Sequence, residues 1–324
     1  MPTFDLGYPP TQHRSKRAGY DGTSLQAFFA AFPDDDACLA HIFRVRFGSD
    51  PRCPRCGGSG RWRRHEIQKH YFHPCGGILS PMAGVVFSHS HIALQLWFYA
   101  MLHFANSAEG MAGAYLARQL GVSIPTAFRV AQRIRAHMGS LDAGSLLGGP
   151  GETVVIRLVK VLRITNPLRN VPNRAAVLLL SDLKRVNSTV VVRPRQKNLR
   201  TVITAKTHPL SRLVTDCYWT FRALSNYSSG QPIAEHIPDY YNDRPGCENL
   251  NHGFMQYVHL SFADQFRGVS LENAWLYFKE YEFRYNRRSH SAETFKDLVS
   301  AFPSFDAHSL MRLRAANFID ATVS

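Results

Sequence analysis

The sequence predicts a multidomain α/β protein, and three observations along its 324 residues carry that prediction. A Cys53-Pro54-Arg55-Cys56 knuckle, with Cys75 downstream, has the spacing of a small metal-held module. Between Ser107 and Met138 apolar residues recur three or four apart, broken once at Gly121-Val122-Ser123, which predicts a helix-turn-helix. Beyond residue 151, runs rich in Val, Ile and Leu are followed by helical periodicity, as in a mixed sheet covered by helices.

Taken in order, residues 1–22 hold Arg14, Lys16 and Arg17 but no apolar run, which predicts a disordered basic arm rather than a signal peptide. Residues 23–90 form a helical and ribbon unit. Leu25, Phe28, Phe29 and Phe32 mark a first helix, and Asp34-Asp35-Asp36 open a second at its positive end. Residues 51–90 are rich in Gly, Pro, His and Arg and lack periodicity, as expected of a fold held by metal. Residues 91–138 are the helix-turn-helix region, and 139–151, with five glycines, read as a linker. Within residues 152–300, strands are expected at Glu152–Ile164, Ala175–Leu180, Ser188–Arg193 and Arg212–Thr215, then helices near Glu248–Ala263 and Leu271–Tyr285. Residues 301–324 are left as a C-terminal tail. No internal repeat is present.

Lys and Arg outnumber Asp and Glu by 38 to 24, a formal charge of +14, which favours a polyanionic partner through counterion release. Double-stranded DNA is the expected partner, with a homo-oligomer as a further possibility. The longest apolar stretch, Ile92–Leu102, is far shorter than the ~20 residues that span a bilayer, so no membrane role is expected. A cytoplasmic location follows from the same features. Of six cysteines, three cluster at ligand spacing; Cys38, Cys217 and Cys247 are scattered, as buried or free thiols are.

Two thiolates from one Cys-x-x-Cys turn bind one side of a tetrahedral Zn²⁺, and a second pair must come from a distal knuckle. Here Phe72 stands where the second distal cysteine would be. The expected ligands of a structural zinc are therefore Cys53, Cys56, His73 and Cys75, with His70 and His65 as the other histidines within reach. A ribbon that folds by packing without metal is the alternative. A redox pair is disfavoured, since no thioredoxin-like unit surrounds it. Arg52, Arg55, Arg61, Arg63 and Arg64 give the module a phosphate-facing or merely solvated rim, and Trp62 is placed to pack or stack. In the helix-turn-helix, Ser107 to Gly110 open the first helix and Pro125 lies in the first turn of the second. Ala127, Val130, Ile134 and Met138 share a face and should be core. Thr126, Arg129, Gln132, Arg133 and Arg135 should face outward, toward base edges and phosphates.

With these residues in view, the chain resembles an insertion-sequence transposase of the ISXO-like, Merlin-related group. The likeness runs through Asp34 to Leu39, Arg44 to Phe47, Cys53 to Cys56, Gly84 to Phe87, Leu96-Trp97-Phe98, Leu116 to Ser123, and Glu282 to Arg288. It implies a ribonuclease H-like mixed-sheet domain whose carboxylates hold two Mg²⁺ or Mn²⁺ ions for DNA strand cleavage and joining. Such chemistry needs clustered carboxylates, because two cations must flank the reacting phosphate and neutral ligands hold Mg²⁺ poorly.

The chain departs from that pattern. The family's Val-Asp-Glu-Thr corresponds to Pro150-Gly151-Glu152-Thr153, so Gly151 takes the first Asp position. Asp216, after Leu213-Val214-Thr215, matches the second. The family's Asn-x-x-Glu, with a following Lys, corresponds to Asn249, His252 and His259. The expected catalytic set is thus Asp216, Asn249 and the substituted His252 and His259, with Glu152 as a possible rescue if a bulge re-aims it. A softer metal between the two histidines is a further possibility. The expected function is a transposase-like DNA-binding protein with lost or impaired strand transfer. The alternatives are an active enzyme with a divergent metal site, and an interaction or dimerisation scaffold.

Overall fold

The computed structural model describes residues 22–66, 68–107, 110–160, 164–165, 175–192, 194–215, 235–236, 251, 253–259 and 269–320. The predicted basic arm lies almost wholly outside them. Two short helices come first, α1 (Leu25–Ala31) and α2 (Asp35–Phe47). Asp34 caps α2 by accepting from the Ala37 amide at 2.8 Å, while Asp35 and Asp36 occupy its first turn, as the acidic run predicts. Three two-residue strands follow, β1 (Arg63–Arg64), β2 (Tyr71–Phe72) and β3 (Ile78–Leu79), in one antiparallel ribbon. Phe43 of α2 lies 4.1 Å from the ring of Tyr71, and Arg64 bridges Asp36, so the ribbon is packed onto α2.

Next come α3 (Leu94–Asn106), α4 (Gly113–Leu120) and α5 (Ile124–Leu141). Ser107 does not open the first helix of the predicted pair. Its amide instead donates to His103 O at 3.0 Å and ends α3, and α4 begins only at Gly113. Gly121 takes the left-handed conformation, φ 63°, that closes α4, and Ser123 caps α5. The second helix also runs one turn beyond Met138.

The predicted linker is built into the fold. Leu147 donates to Lys206 O, His208 donates back to Leu147 O, and Gly151 donates to Leu210 O, which straps residues 147–151 along the sheet domain. That sheet contains β4 (Thr153–Lys160), β6 (Ala175–Ser181), β7 (Val186–Val192), β8 (Arg212–Thr215), β9 (Glu235–His236) and β11 (Phe318–Asp320) in the order β11-β7-β6-β4-β8-β9. The pairs β4/β6 and β6/β7 are antiparallel, whereas β4/β8, β8/β9 and β11/β7 are parallel. A separate two-stranded parallel pair joins β5 (Ile164–Thr165) to β10 (Val269–Ser270).

Strand alternation divides the sheet's side chains between two layers. Val154, Ile156, Leu178, Leu180 and Val191 pack against Leu199, Val202 and Ile203 of α6 (Gln196–Lys206), a helix the sequence reading missed. Val177, Leu179, Val186 and Val190 belong to the larger core on the other face. There lies α8 (Ala274–Asn286), buried along most of its length. Residues 253–259 form α7, where Phe254 and Tyr257 meet Tyr285 and Tyr281 of α8. The expected tail is also structured. After α9 (Thr294–Val299), Phe302 and Phe305 are buried, α10 (Ala307–Asn317) follows, and β11 pairs with β7.

The two halves share one interior. Glu280 of α8 accepts from Arg135 of α5 at 2.5 Å, from Arg284 at 2.6 Å and from the Met111 amide at 2.9 Å, all buried. Burial would raise the Glu280 pKa, but Arg135 and Arg284 outweigh it and hold the carboxyl below its usual range. On the sheet side, Glu282 accepts from Ser188 and from Lys279. Two histidines join the layers through the end of α9: His41 Nε2 contacts Val299 O at 2.8 Å, and His137 Nε2 contacts Leu298 O at 2.9 Å.

Burial pushes His137 down to about 4, against the opposing pull of its Leu298 bond, and lowers His41 by the same cause. The unfolded chain therefore takes up protons near pH 6.5 that the folded chain refuses until near 4. The stability is complete above about pH 6.5 and falls as pH drops toward 4. Thermal unfolding followed across that window should show this fall, and His137→Gln, which keeps a donor to Leu298, should flatten it.

Candidate functional site

The metal-ligand candidates come together. The ligand atoms of Cys53, Cys56, His73 and Cys75 all lie within 4.8 Å of one another. Cys53 Sγ is 3.4 Å from Cys75 Sγ, His73 Nδ1 is 3.1 Å from Cys75 Sγ, and Cys56 Sγ is 3.5 Å from His73 Nδ1. A tetrahedral zinc with bonds of about 2.3 Å to sulfur and 2.0 Å to nitrogen places its ligand atoms roughly 3.5 to 3.8 Å apart. The three thiols and one imidazole fit such an ion with little movement, and the histidine presents Nδ1 rather than Nε2.

Each half of the centre is a turn. Gly57 donates to Cys53 O and Gly76 to His73 O, so His73-Pro74-Cys75-Gly76 is a shortened counterpart of Cys53-Pro54-Arg55-Cys56. Gly77 is required by space, because a Cβ there would collide with Cys53 Sγ. The surrounding side chains are partly committed. Arg55 donates to Cys75 O at 2.9 Å while staying exposed, and Trp62 donates to Pro51 O and packs 5.2 Å from His73. Arg52, Arg61 and Arg63 are exposed. His65 and His70 stack 5.1 Å apart and lie outside the ligand cluster.

On α5 the core face is as the spacing predicts, with Ala127, Val130, Ile134 and Met138 buried. The outward set needs correction. Arg129 is exposed, and Thr126 and Gln132 are half-buried. Arg133, however, turns inward to donate to Val86 O at 2.7 Å and Ser88 O at 3.0 Å, with its guanidinium over Phe305. Arg135 is fully buried against Glu280 and Tyr277. Both arginines hold α5 to its neighbours, because chain segments far away in sequence cover the helix beyond its second turn. Sequence periodicity contains no sign of that cover. Sequence reasoning also passed over Tyr115, Arg118, Ile124 and Phe128, all exposed on α4 and α5.

Of the expected catalytic residues, only Glu152 and His259 fall among the described residues. Gly151 sits in a turn, φ 74°, before β4 rather than in it. Glu152 is exposed 3.7 Å from Lys184. Its backbone O accepts from Arg212, the first residue of β8, whereas Thr215 at the other end of β8 pairs with Ile156. Four strand residues separate those levels, roughly 13 Å at about 3.3 Å per residue. No bulge re-aims Glu152 across that span. His259, in α7, is exposed. Asp216, Asn249 and His252 lie outside the described residues, as do Cys217 and Cys247.

Residues 33–73 match the transposase zinc-ribbon domain, a segment that covers α2 and three of the four candidate ligands. No curated protein and no solved structure matches the chain. No helix among the described residues is long and apolar enough to cross a membrane.

The centre predicts one zinc per chain. His73→Cys should retain it, whereas His73→Ala and Gly77→Val should lose it and release the ribbon from α2, as read by metal analysis and by Trp62 fluorescence.

Proposed function

We propose that the protein is a transposase-like DNA-binding protein of the ISXO-like group, whose strand-transfer centre is lost or impaired. The observation that carries the binding half is the transposase zinc ribbon with its three-thiol, one-imidazole cluster. Next in the chain come α4, the Gly121 turn and α5, which we take as a helix-turn-helix. The stretch from Gly110 to Leu141 contains no Asp or Glu, in a chain of formal charge +14. A surface of that composition suits phosphate.

Three features favour a ribonuclease H-like reading of the second half. Three antiparallel strands come first, then a helix, then strands that return parallel to the first. The same sheet argues against two-metal chemistry. β4 reads Thr-Val-Val-Ile-Arg-Leu-Val-Lys, with no carboxylate. Ile156 pairs with Thr215, so the residue one step beyond on β4 is Arg157, a cation where a metal ligand would be needed. Glu152, at the far end of the strand, supplies no substitute. The zinc is structural in this reading, and Mg²⁺ or Mn²⁺ has no assigned role.

Two experiments test the proposal. Arg129→Ala should weaken duplex binding and reduce its salt slope by about one, while Arg133→Ala should lower the melting temperature and leave the slope unchanged. Full-length protein incubated with Mg²⁺ or Mn²⁺ and duplexes carrying the DNA from both flanks of its gene should give neither cleavage nor strand transfer. Metal-dependent nicking would overturn the claim of impairment, and absence of duplex binding would overturn the claim of DNA recognition.

A further inference from the structure

The first turns of α5 carry an apolar row that no described residue covers. Ile124 is 53% exposed and Phe128 40% exposed. Four residues apart on one helix, they share a face, and Gln132 continues the row half-buried. The Phe128 ring lies over Gly113 at the start of α4, where a Cβ would come within 2.9 Å of it. That contact holds the ring in place across the two helices while its outer face stays in water. Neighbouring apolar side chains held outward on one helix face offer a surface that a partner can cover.

The charge around the row says what covers it. Arg129 and Arg118 are exposed nearby, Ser123 and Thr126 present hydroxyls at the helix start, and no carboxylate occurs from Gly110 to Leu141. An apolar pair on a stretch of chain that carries only basic and neutral residues suits the major groove. There the C5-methyl of thymine is the one apolar group on any base edge, and phosphates flank it.

We infer that Ile124 and Phe128 read thymine methyl groups, so that the protein selects A·T pairs by apolar contact rather than by arginine to guanine. The inference rests on the DNA-binding function proposed above and adds the base it recognises. Gln132, next in the row, has the side chain that pairs with adenine.

The test begins with a duplex enriched from a random-sequence pool by the full-length protein, then resynthesised with deoxyuridine at each thymine in turn. At one or two positions, loss of the methyl should weaken binding about four-fold, the equivalent of about 0.8 kcal/mol. Ile124→Ala should abolish the difference between thymine and uracil at one such position and leave the salt slope unchanged. Phe128→Leu, which keeps the Gly113 contact apolar, should move the preference rather than remove it. Equal binding of thymine and uracil duplexes, or failure to enrich any sequence, would overturn the inference while duplex binding stood. A change of sedimentation on Ile124→Ala, with thymine preference intact, would also overturn it and mark the row as a protein interface. Absence of binding to every duplex would instead refute the parent proposal.

Discussion

One buried carboxylate holds the two halves of this chain in a single structure. Glu280 takes hydrogen bonds from the side chains of Arg135 and Arg284 and from the Met111 amide, so it touches α5, α8 and the segment that leads into α4. Arg284 reaches on to Phe104 O at the end of α3, and Arg135 to Met111 O. Removing one partner from such a network leaves a charge in a dry interior, a loss of about 3 to 5 kcal/mol. The same arginine that anchors α5 was expected in solvent. The correction redefines the helix: only its first two turns are surface, and the rest is the central strut of the molecule.

How much was legible in the sequence depended on how local the cause was. Capping and turn chemistry are local, so Asp34, Gly121 and Ser123 marked their helices to within a residue or two. Strands β4, β6, β7 and β8 were visible as runs rich in Val, Ile and Leu, buried on both faces in β6, whereas the short β9 and β11 were not. Cys53, Cys56, His73 and Cys75 were legible because a tetrahedral ion dictates donor type and spacing. What sequence could not show was which side of α5 other segments would cover. Arg133 and Arg135 have the same local context as Arg129, and only the turn at residues 85–88 and α8 distinguish them. Helix α6 was missed because its sequence, Gln-Lys-Asn-Leu-Arg-Thr-Val-Ile-Thr-Ala-Lys, carries only a narrow apolar stripe. The glycines of residues 147–151 looked like slack, yet Gly148 lets the backbone lie close against Ser211 and Val154, where a Cβ would collide.

A zinc ribbon and a two-cation centre make different demands on their ligands. In the ribbon a histidine replaces a cysteine and changes the reach of the ligand, and the shortened turn at His73–Cys75 accommodates it. In the sheet domain, Gly151 stands in the turn before β4, and Glu152 lies exposed beside Lys184. A tetrahedral zinc accepts either donor type, so the first change is tolerated. A two-cation centre instead depends on negative charge, which neutral donors supply poorly.

The wiring through α8 also sets an order of events during synthesis. The helices from α3 to α5 are translated well before Glu280, and the buried faces of α3 and α5 are completed by Phe295, Leu298, Phe302 and Phe305. Until Glu280 and Leu298 have left the ribosome, Arg135 has Met111 O but lacks its carboxylate, and His137 lacks its carbonyl. Helix α5 is therefore not firmly seated on a nascent chain. Fragments that stop short of residue 305 should behave as loosely packed helices that chaperones and proteases recognise, rather than as a small independent binding domain.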